Sequence, residues 1–318
     1  MAKRRFEYEK FGALFALAAL IIISAIASPY FLQIQNILNI LRQISYTGII
    51  ALGMTFVIIS GGIDLSVGSM TALVGGVSIL TLNSAMSTFG EVQAIMISII
   101  VAILFGAALG AANGILVSKG GIAPFIVTLG TMAIYRSLSL YIGEAGVFRS
   151  QSNSYPEVGM GRFLGIPYPV LAMLGIAVFF SLLLRKTRFG KYTRAVGSNE
   201  KVAKYSAIKT NFVKFSTYML VGASVGVSAI FLSARLNSIS STNGGLGYEL
   251  DAIAAVIIGG TSLSGGSGTI WGTIIGAFIL GIINNMLNMM GVSPYLQGTV
   301  KGLVIIGAVL IQRGRRKK

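Results

Sequence analysis

The chain alternates long apolar stretches with short charged ones. No Asp, Glu, Lys or Arg interrupts 11–41, 43–63, 65–90, 92–118, 163–184, 215–234 or 252–300. A helix that crosses a membrane needs about 20 predominantly apolar residues, and the last of these runs can hold two. The outer helices of a large soluble core would show polar faces at helical spacing; these runs lack them. The pattern predicts spanning helices near 11–27, 44–60, 67–83, 94–117, 122–142 and 168–184, then near 215–232, 252–262, 269–287 and 296–312. Segment 252–262 is short and flanked by glycine. Segment 122–142 carries Arg136, which is expected to snorkel to a surface or to find a carboxylate or carbonyl partner. The fold class is an all-α polytopic membrane protein of about ten transmembrane helices, a single domain over 1–318.

Charge orients this array. The composition is 54% hydrophobic with a net charge of +16, and the mean hydropathy is +0.81. Four basic residues precede Phe11, nine lie within 185–214 and five close the chain from Arg313 to Lys318. Basic residues gathered beside membrane spans mark the cytoplasmic side, so their placement argues for topology and against a nucleic-acid surface. The N-terminus, the 185–214 loop and the C-terminus are all expected in the cytoplasm. Even numbers of spans must then separate them, and six followed by four satisfies this. Segments 28–43, 84–93, 143–167, 233–251 and 288–295 become outer loops. The longest, 143–167, carries Glu144, Arg149, Glu157 and Arg162, and fits a functional loop or a plain connector equally. The start, Met1 to Arg5, resembles a basic signal n-region, but the run from Phe11 is too long for a cleaved signal and reads as the first span. Histidine and cysteine are absent, which excludes disulfides, thiolate chemistry, His-based metal sites and an imidazole relay. No cofactor or metal is expected. No glycine-rich loop ending in Gly-Lys-Ser/Thr is present, so the chain itself should bind no nucleotide.

The most informative motif is Ser60-Gly-Gly-Ile-Asp-Leu-Ser-Val-Gly-Ser69, which sets one carboxylate and three hydroxyls between two apolar runs. It returns as Ile258-Gly-Gly-Thr-Ser-Leu-Ser-Gly-Gly-Ser267, at an offset of 198 that matches Gly61 with Gly259 and Ser66 with Ser264. Gly121-Ile-Ala-Pro-Phe125 likewise echoes Gly291-Val-Ser-Pro-Tyr295, at an offset of 170. A polar glycine break present twice points to a transporter with an internal repeat. The first half is about 1–184 and the second 215–318. The repeat is parallel if all ten segments span and inverted if one short segment is re-entrant. Gly106-Ala-Ala-Leu-Gly110 and Gly272-Thr-Ile-Ile-Gly276 suit close helix packing.

Asp64 is the only acid placed near a predicted helical pair. An unpaired carboxylate in lipid costs roughly 2.5–3.5 kcal/mol on insertion scales. It can cap the helix entered near Ser66, touch a polar substrate, or pair with a base. Ser262 replaces it in the second copy, and a hydroxyl also caps. Asp64, Ser66, Ser69, Ser262, Ser264, Asn284 and Asn285 are the candidate residues of the helix breaks or the translocation path. For the two asparagines, interhelical hydrogen bonding is the alternative. In the basic loop, Ser198 or Asn199 can cap a short helix running through Ala207, with Glu200 in its first turn. Either Val202, Tyr205 and Ser206 or Ala203 and Ala207 would form its contact face.

Three of these motifs carry a family resemblance: Gly61 to Ser69, Ala195-Val-Gly-Ser-Asn-Glu200 with Ala203, and Gly247 to Val256 followed by Gly259 to Gly266. In that order, over nearly the whole chain, they resemble permease subunits of bacterial sugar ABC importers, those for ribose most closely. Ala207 stands where many members have glycine. The resemblance implies a multi-pass protein of the bacterial inner membrane that catalyses nothing itself. Its partners would be an ABC ATPase, an extracytoplasmic sugar-binding protein and a second permease copy or related permease. Its cargo would be a ribose-like monosaccharide, or alternatively a nucleoside, a furanose or a signalling sugar derivative. Gly197, Ser198, Asn199, Glu200, Ala203 and Ala207 fall where the family couples to its ATPase. The rival from another class is an ion-coupled secondary transporter, which would need buried ionisable groups beyond Asp64.

Overall fold

The computed structural model describes residues 2–293, 296–304 and 306–307. The chain runs α1 (Ala2–Ala27), α2 (Ile34–Ile59), α3 (Val67–Phe89), α4 (Glu91–Ser118), α5 (Pro124–Ile142), β1 (Val147–Arg149), α6 (Tyr155–Met160), β2 (Arg162–Phe163), β3 (Ile166–Pro167) and α7 (Tyr168–Lys186). It continues through α8 (Arg188–Ser198), α9 (Glu200–Tyr205), α10 (Thr210–Leu236), β4 (Ser238–Ser240), α11 (Tyr248–Ile258) and α12 (Ile270–Met289). Residues 296–304 are helical again. Part of the expected 296–312 span, Tyr295 of the Gly291 motif and the basic stretch Arg313 to Lys318 lie outside the described residues.

Seven of these helices, α2, α3, α4, α5, α7, α10 and α12, are long and apolar enough to cross a membrane. The expected span 252–262 is corrected. Its helix, α11, starts and ends four residues earlier and has 11 residues. At 1.5 Å per residue it is about 16 Å long, roughly half the hydrocarbon thickness. Helix α2 begins ten residues before its predicted start and lies at the centre. From Ser45 to Ile59 every residue but Thr47 is buried, as expected of a helix apolar on all sides. It packs on α7, α10, α11 and α12. Phe56 meets Phe180 of α7 edge-on at 5.2 Å and Phe189 of α8 in a stack at 6.0 Å.

Small residues let the helices close up. A Cβ on Gly106 or Gly110 of α4 would strike the backbone of α10 at Gly222 or Tyr218, and one on Gly276 of α12 would strike Ala255 of α11. Both glycine pairs read from the sequence therefore serve close packing. At the end of the bundle away from α8, β1 pairs antiparallel with β4, with Phe148 opposite Ile239. The expected outer loops 143–167 and 233–251 thus meet on one face. The first is anchored as Glu91 accepts hydrogen bonds from the Ser152 hydroxyl at 2.5 Å and the Ser154 amide at 2.8 Å. Arg136 finds its carbonyls in the second, donating to Ser241 O at 2.9 Å and Gly244 O at 3.0 Å.

Candidate functional site

Two regions at opposite ends of the bundle gather the polar chemistry. The first surrounds the glycine breaks. Helix α2 stops because Gly61 takes φ +85°, and α11 stops because Gly260 takes φ +88°. In each, the amide after that glycine bonds back five residues, Gly62 to Val57 at 2.9 Å and Thr261 to Val256 at 3.1 Å. This is a Schellman ending, which favours a glycine in the left-handed region. The recurrence therefore holds at an offset of 199, pairing Gly61 with Gly260 rather than with Gly259. Beyond the glycines the copies diverge. Helix α3 follows at Val67, whereas α12 waits until Ile270. Ser264, Gly266 and Ser267 thus lie in a loop, while Gly68 and Ser69 lie in a helix. Gly121 and Gly291 share a left-handed backbone at φ +64° and +68°.

Asp64 is fully buried. Its Oδ1 accepts from the Ser66 amide at 2.8 Å and the Ser66 hydroxyl at 2.6 Å, and its Oδ2 from Asn113 Nδ2 at 3.3 Å. Asn113 Nδ2 also donates to Ser66 Oγ at 2.9 Å, and Tyr135 Oη donates to Asn113 Oδ1 at 3.4 Å. The carboxylate therefore tethers the residue just before α3 to α4 and α5. Ser69 is buried on the first turn of α3. Ser262 does not play the matching part. It is buried in a turn whose amide donates to Ser267 O at 3.0 Å, and the cap of α12 is Thr269, whose Oγ1 accepts from Gly272 N at 3.1 Å. Ser264 is exposed. The longer second loop moves the cap downstream of both serines.

Helix α8 abuts both breaks, and α9 follows it. The Gly266 amide donates to Ile59 O at 2.9 Å, joining the second loop to the end of α2. Gly197 lies on that joint, where a Cβ would overlap Ile59 O and crowd the Gly266 amide. Arg194 Nη2 donates to Gly268 O at 3.4 Å. Burial first, and then the charge of Arg185, push its guanidinium below its usual range. Asn199 caps α9 as the sequence suggests, its Oδ1 accepting from Val202 N at 3.1 Å. Glu200 in the first turn pairs with Lys214 at 2.6 Å. Two expectations need correction. The helix ends at Tyr205 rather than Ala207, and Ala207 sits past its end at φ +58°. Ala203 does not face outward; it is buried against Val196 and Val213. The outward face is Val202 and Tyr205, 57% and 91% exposed.

The second region is a cavity of about 310 Å³ at the far end. The first half of α2, the end of α10, the start of α11 and the second half of α12 line it, with Lys301 beyond. Its polar wall includes Tyr46, Arg235, Tyr248, Asp251, Asn284 and Lys301. Asp251 Oδ2 accepts from Lys301 Nζ at 3.0 Å. Of the predicted path residues only Asn284 lines this cavity. Asn285 points away and exchanges hydrogen bonds with Asn36 of α2, at 2.8 and 3.2 Å, which is the interhelical alternative. Sequence reading missed Tyr46, Arg235 and Asp251. The signal for Asp251 was its position, one residue ahead of the apolar run that begins at 252.

Residues 36–309 match the family described as branched-chain amino acid transport system / permease component. The chain belongs to this permease family. It is 47% identical to the ribose import permease protein of Bacillus subtilis (strain 168), over 96% of this chain and 93% of that one. It is 44% identical to the ribose import permease protein of Escherichia coli (strain K12), over 96% and 94%. The D-allose transport system permease protein of the same organism is 38% identical, over 96% and 92%.

Proposed function

We propose that the chain is the membrane-spanning subunit of an ATP-driven importer for a small sugar, a ribose-like monosaccharide handed over by an extracytoplasmic binding protein. The observation that carries this is 47% identity to a ribose import permease across nearly the whole of both chains. The chain supplies the path and not the chemistry. ATP is hydrolysed by a separate ATPase subunit, and a second permease copy or a related permease completes the path. Both termini and the 185–214 loop face the cytoplasm of a bacterium, whose inner membrane holds the complex. Seven helices long enough to cross, together with α1 and the segment that begins at 296, carry the chain through the membrane, and α11 enters it only part-way.

In this reading α9 is the docking element. Its axis is fixed by the Asn199 cap and the Ala203 packing, which leaves Val202 and Tyr205 free for the ATPase. A push on α9 reaches α8, and through Gly197 it reaches the ends of α2 and α11 together. Groups of helices that move as units then open the far cavity and close it in turn.

The test is reconstitution with the partner ATPase and binding protein in liposomes. Uptake of D-ribose should require ATP and the loaded binding protein. Tyr205→Asp should insert and assemble with the binding protein yet lose ATPase association, or its stimulation, by about tenfold or more; an exposed aromatic anchor typically contributes about 2 kcal/mol or more to an interface. Wild-type association together with wild-type stimulation would remove α9 from the coupling route.

A further inference from the structure

We propose that Tyr46, Arg235 and Asn284 form a contact site for the hydroxyls of the passing sugar, built into the wall of the 310 Å³ cavity. The inference rests on the sugar-importer reading and names the residues that reading leaves open.

The wall holds hydrogen-bonding capacity that the protein does not use. Asn284 Oδ1 is buried and has no hydrogen-bond partner among the described residues, and Tyr46 Oη, also buried, has only the Arg235 guanidinium beside it, outside good hydrogen-bonding geometry. Buried polar atoms in native proteins are nearly always satisfied, and leaving one without a partner costs about 1–3 kcal/mol. Two on one cavity wall point to a partner that comes and goes. Arg235 adds a guanidinium that stands over the Tyr46 ring at 5.9 Å and makes no ion pair among the described residues. The one carboxylate in the wall among the described residues, Asp251, is already held by Lys301 at 3.0 Å.

The chemistry of these groups selects a neutral polyol. Arg235 only donates, Asn284 Oδ1 only accepts, and a phenol does both. A sugar hydroxyl also does both, so adjacent hydroxyls can bridge the three groups. Tyr248, half-buried in the same wall, offers flat apolar surface to the ring carbons. A cavity of about 310 Å³ is at the lower end of small-ligand pockets, roughly 300–1,000 Å³, a size for one sugar ring. With few contacts, the site passes a cargo on and does not retain it.

The geometry also separates this site from the coupling end. Tyr46 belongs to the first half of α2 and Asn284 to the second half of α12, while the glycine breaks adjoin the opposite ends of the same helices. Changes at Asn284 should therefore act on the sugar step and spare the response of the ATPase.

The experiment uses the full complex in liposomes, with D-ribose, D-allose and L-arabinose as probes. Tyr46→Phe removes one hydrogen-bonding atom, and Asn284→Leu removes the unpaired Oδ1 together with the amide Nδ2. Each should lower the uptake rate about two- to tenfold, the worth of one neutral hydrogen bond. ATP hydrolysis stimulated by the loaded binding protein should stay at the wild-type rate, so that more ATP is spent per sugar. A second arm avoids folding defects. The chain contains no cysteine, so Asn284→Cys can be modified after assembly with thiol reagents of increasing size. Block of uptake should grow with reagent size while stimulated hydrolysis persists. If all three variants carry sugar at the wild-type rate and coupling, and the bulky adduct does not block uptake, the site is refuted and the importer reading stands. If the wild-type complex carries none of the three sugars, both fall.

Discussion

Replacing Asp64 tests whether the carboxylate at the first glycine break is a structural acceptor or a working charge. Its two oxygens accept three hydrogen bonds, two from Ser66 and one from Asn113. Asp64→Leu leaves the Ser66 amide and hydroxyl without their acceptor in a fully buried place. Each orphaned donor costs about 1–3 kcal/mol, and inside a bilayer no bulk water can rescue the backbone group. The loss is about 2–6 kcal/mol, against a whole-domain stability of about 5–15 kcal/mol. Asn113 is partly spared, because its Nδ2 keeps Ser66 Oγ at 2.9 Å. Asp64→Asn should behave very differently. Its Oδ1 can still take both Ser66 donors. Only the contact with Asn113 turns into two donors face to face, and the Asn113 amide is kept from turning by its bonds to Ser66 Oγ at 2.9 Å and from Tyr135 at 3.4 Å. That costs about 1 kcal/mol. The assay is membrane expression and the thermal midpoint of the detergent-extracted complex, followed by uptake per assembled complex. Asp64→Asn should keep most transport, and Asp64→Leu should fail at expression or assembly. An Asp64→Asn complex that assembles fully and carries nothing would show that the negative charge itself is functional. An Asp64→Leu complex as stable as the wild type would show that the network contributes no stability.

Two more outcomes follow from the basic loop. Ala207 holds a left-handed backbone at φ +58°, which costs a residue with a Cβ about 1–2 kcal/mol, so Ala207→Gly should gain about 0.5–1 kcal/mol after glycine's extra entropy is subtracted; slower hydrogen exchange in α9 with unchanged uptake is the expected result, and faster exchange would contradict the capping geometry. Ser198 is exposed beside α9, so a Ser198→Cys variant should resist an impermeant thiol reagent added outside intact cells and react once the cytoplasmic side is opened, whereas labelling from outside would reverse the proposed orientation.

The spanning helices were legible because a bilayer demands long apolar runs, and little else satisfies that demand. Helix ends were legible where a local rule dominates. Asn199 caps α9 by its own side chain, and a glycine in the left-handed region stops α2. The start of α2 was not, because residues 34–43 mix Gln35, Asn36, Asn39, Arg42 and Gln43 with apolar positions. They are helical through tertiary packing. Arg42 is fully buried and donates to Met160 O at 3.3 Å, and Asn36 pairs with Asn285. Helix α11 was misread by a similar route. Its first residues, Tyr248, Glu249 and Asp251, look like loop, yet Asp251 is buried because Lys301, fifty residues on, supplies its partner. Ala203 fits the same account. A small residue on a short surface helix suits a partner's groove or the protein's own core, and only the positions of Val196 and Val213 decide between them.

The recurrence of the glycine break has a mechanical reading that identity at matched positions hides. Aligned by residue type, the two copies share serines and glycines at an offset of 198, as though the same loop had been kept twice. Aligned by hydrogen bonds they share only the helix ending, at an offset of 199, and then part company. One copy uses a buried carboxylate to lock the next helix to its neighbours. The other uses a longer glycine loop to reach across and bond Ile59 O. The first arrangement stiffens the α2–α3 corner, and the second ties the α11–α12 corner to it. Gly197 rests on the tie. A displacement of α8 therefore cannot be taken up by one corner alone, because the amide of Gly266 and the carbonyl of Ile59 move together or lose their bond, worth about 0.5–1.5 kcal/mol net. Differences between the two copies, more than their likeness, are what let one helix of the basic loop bear on both.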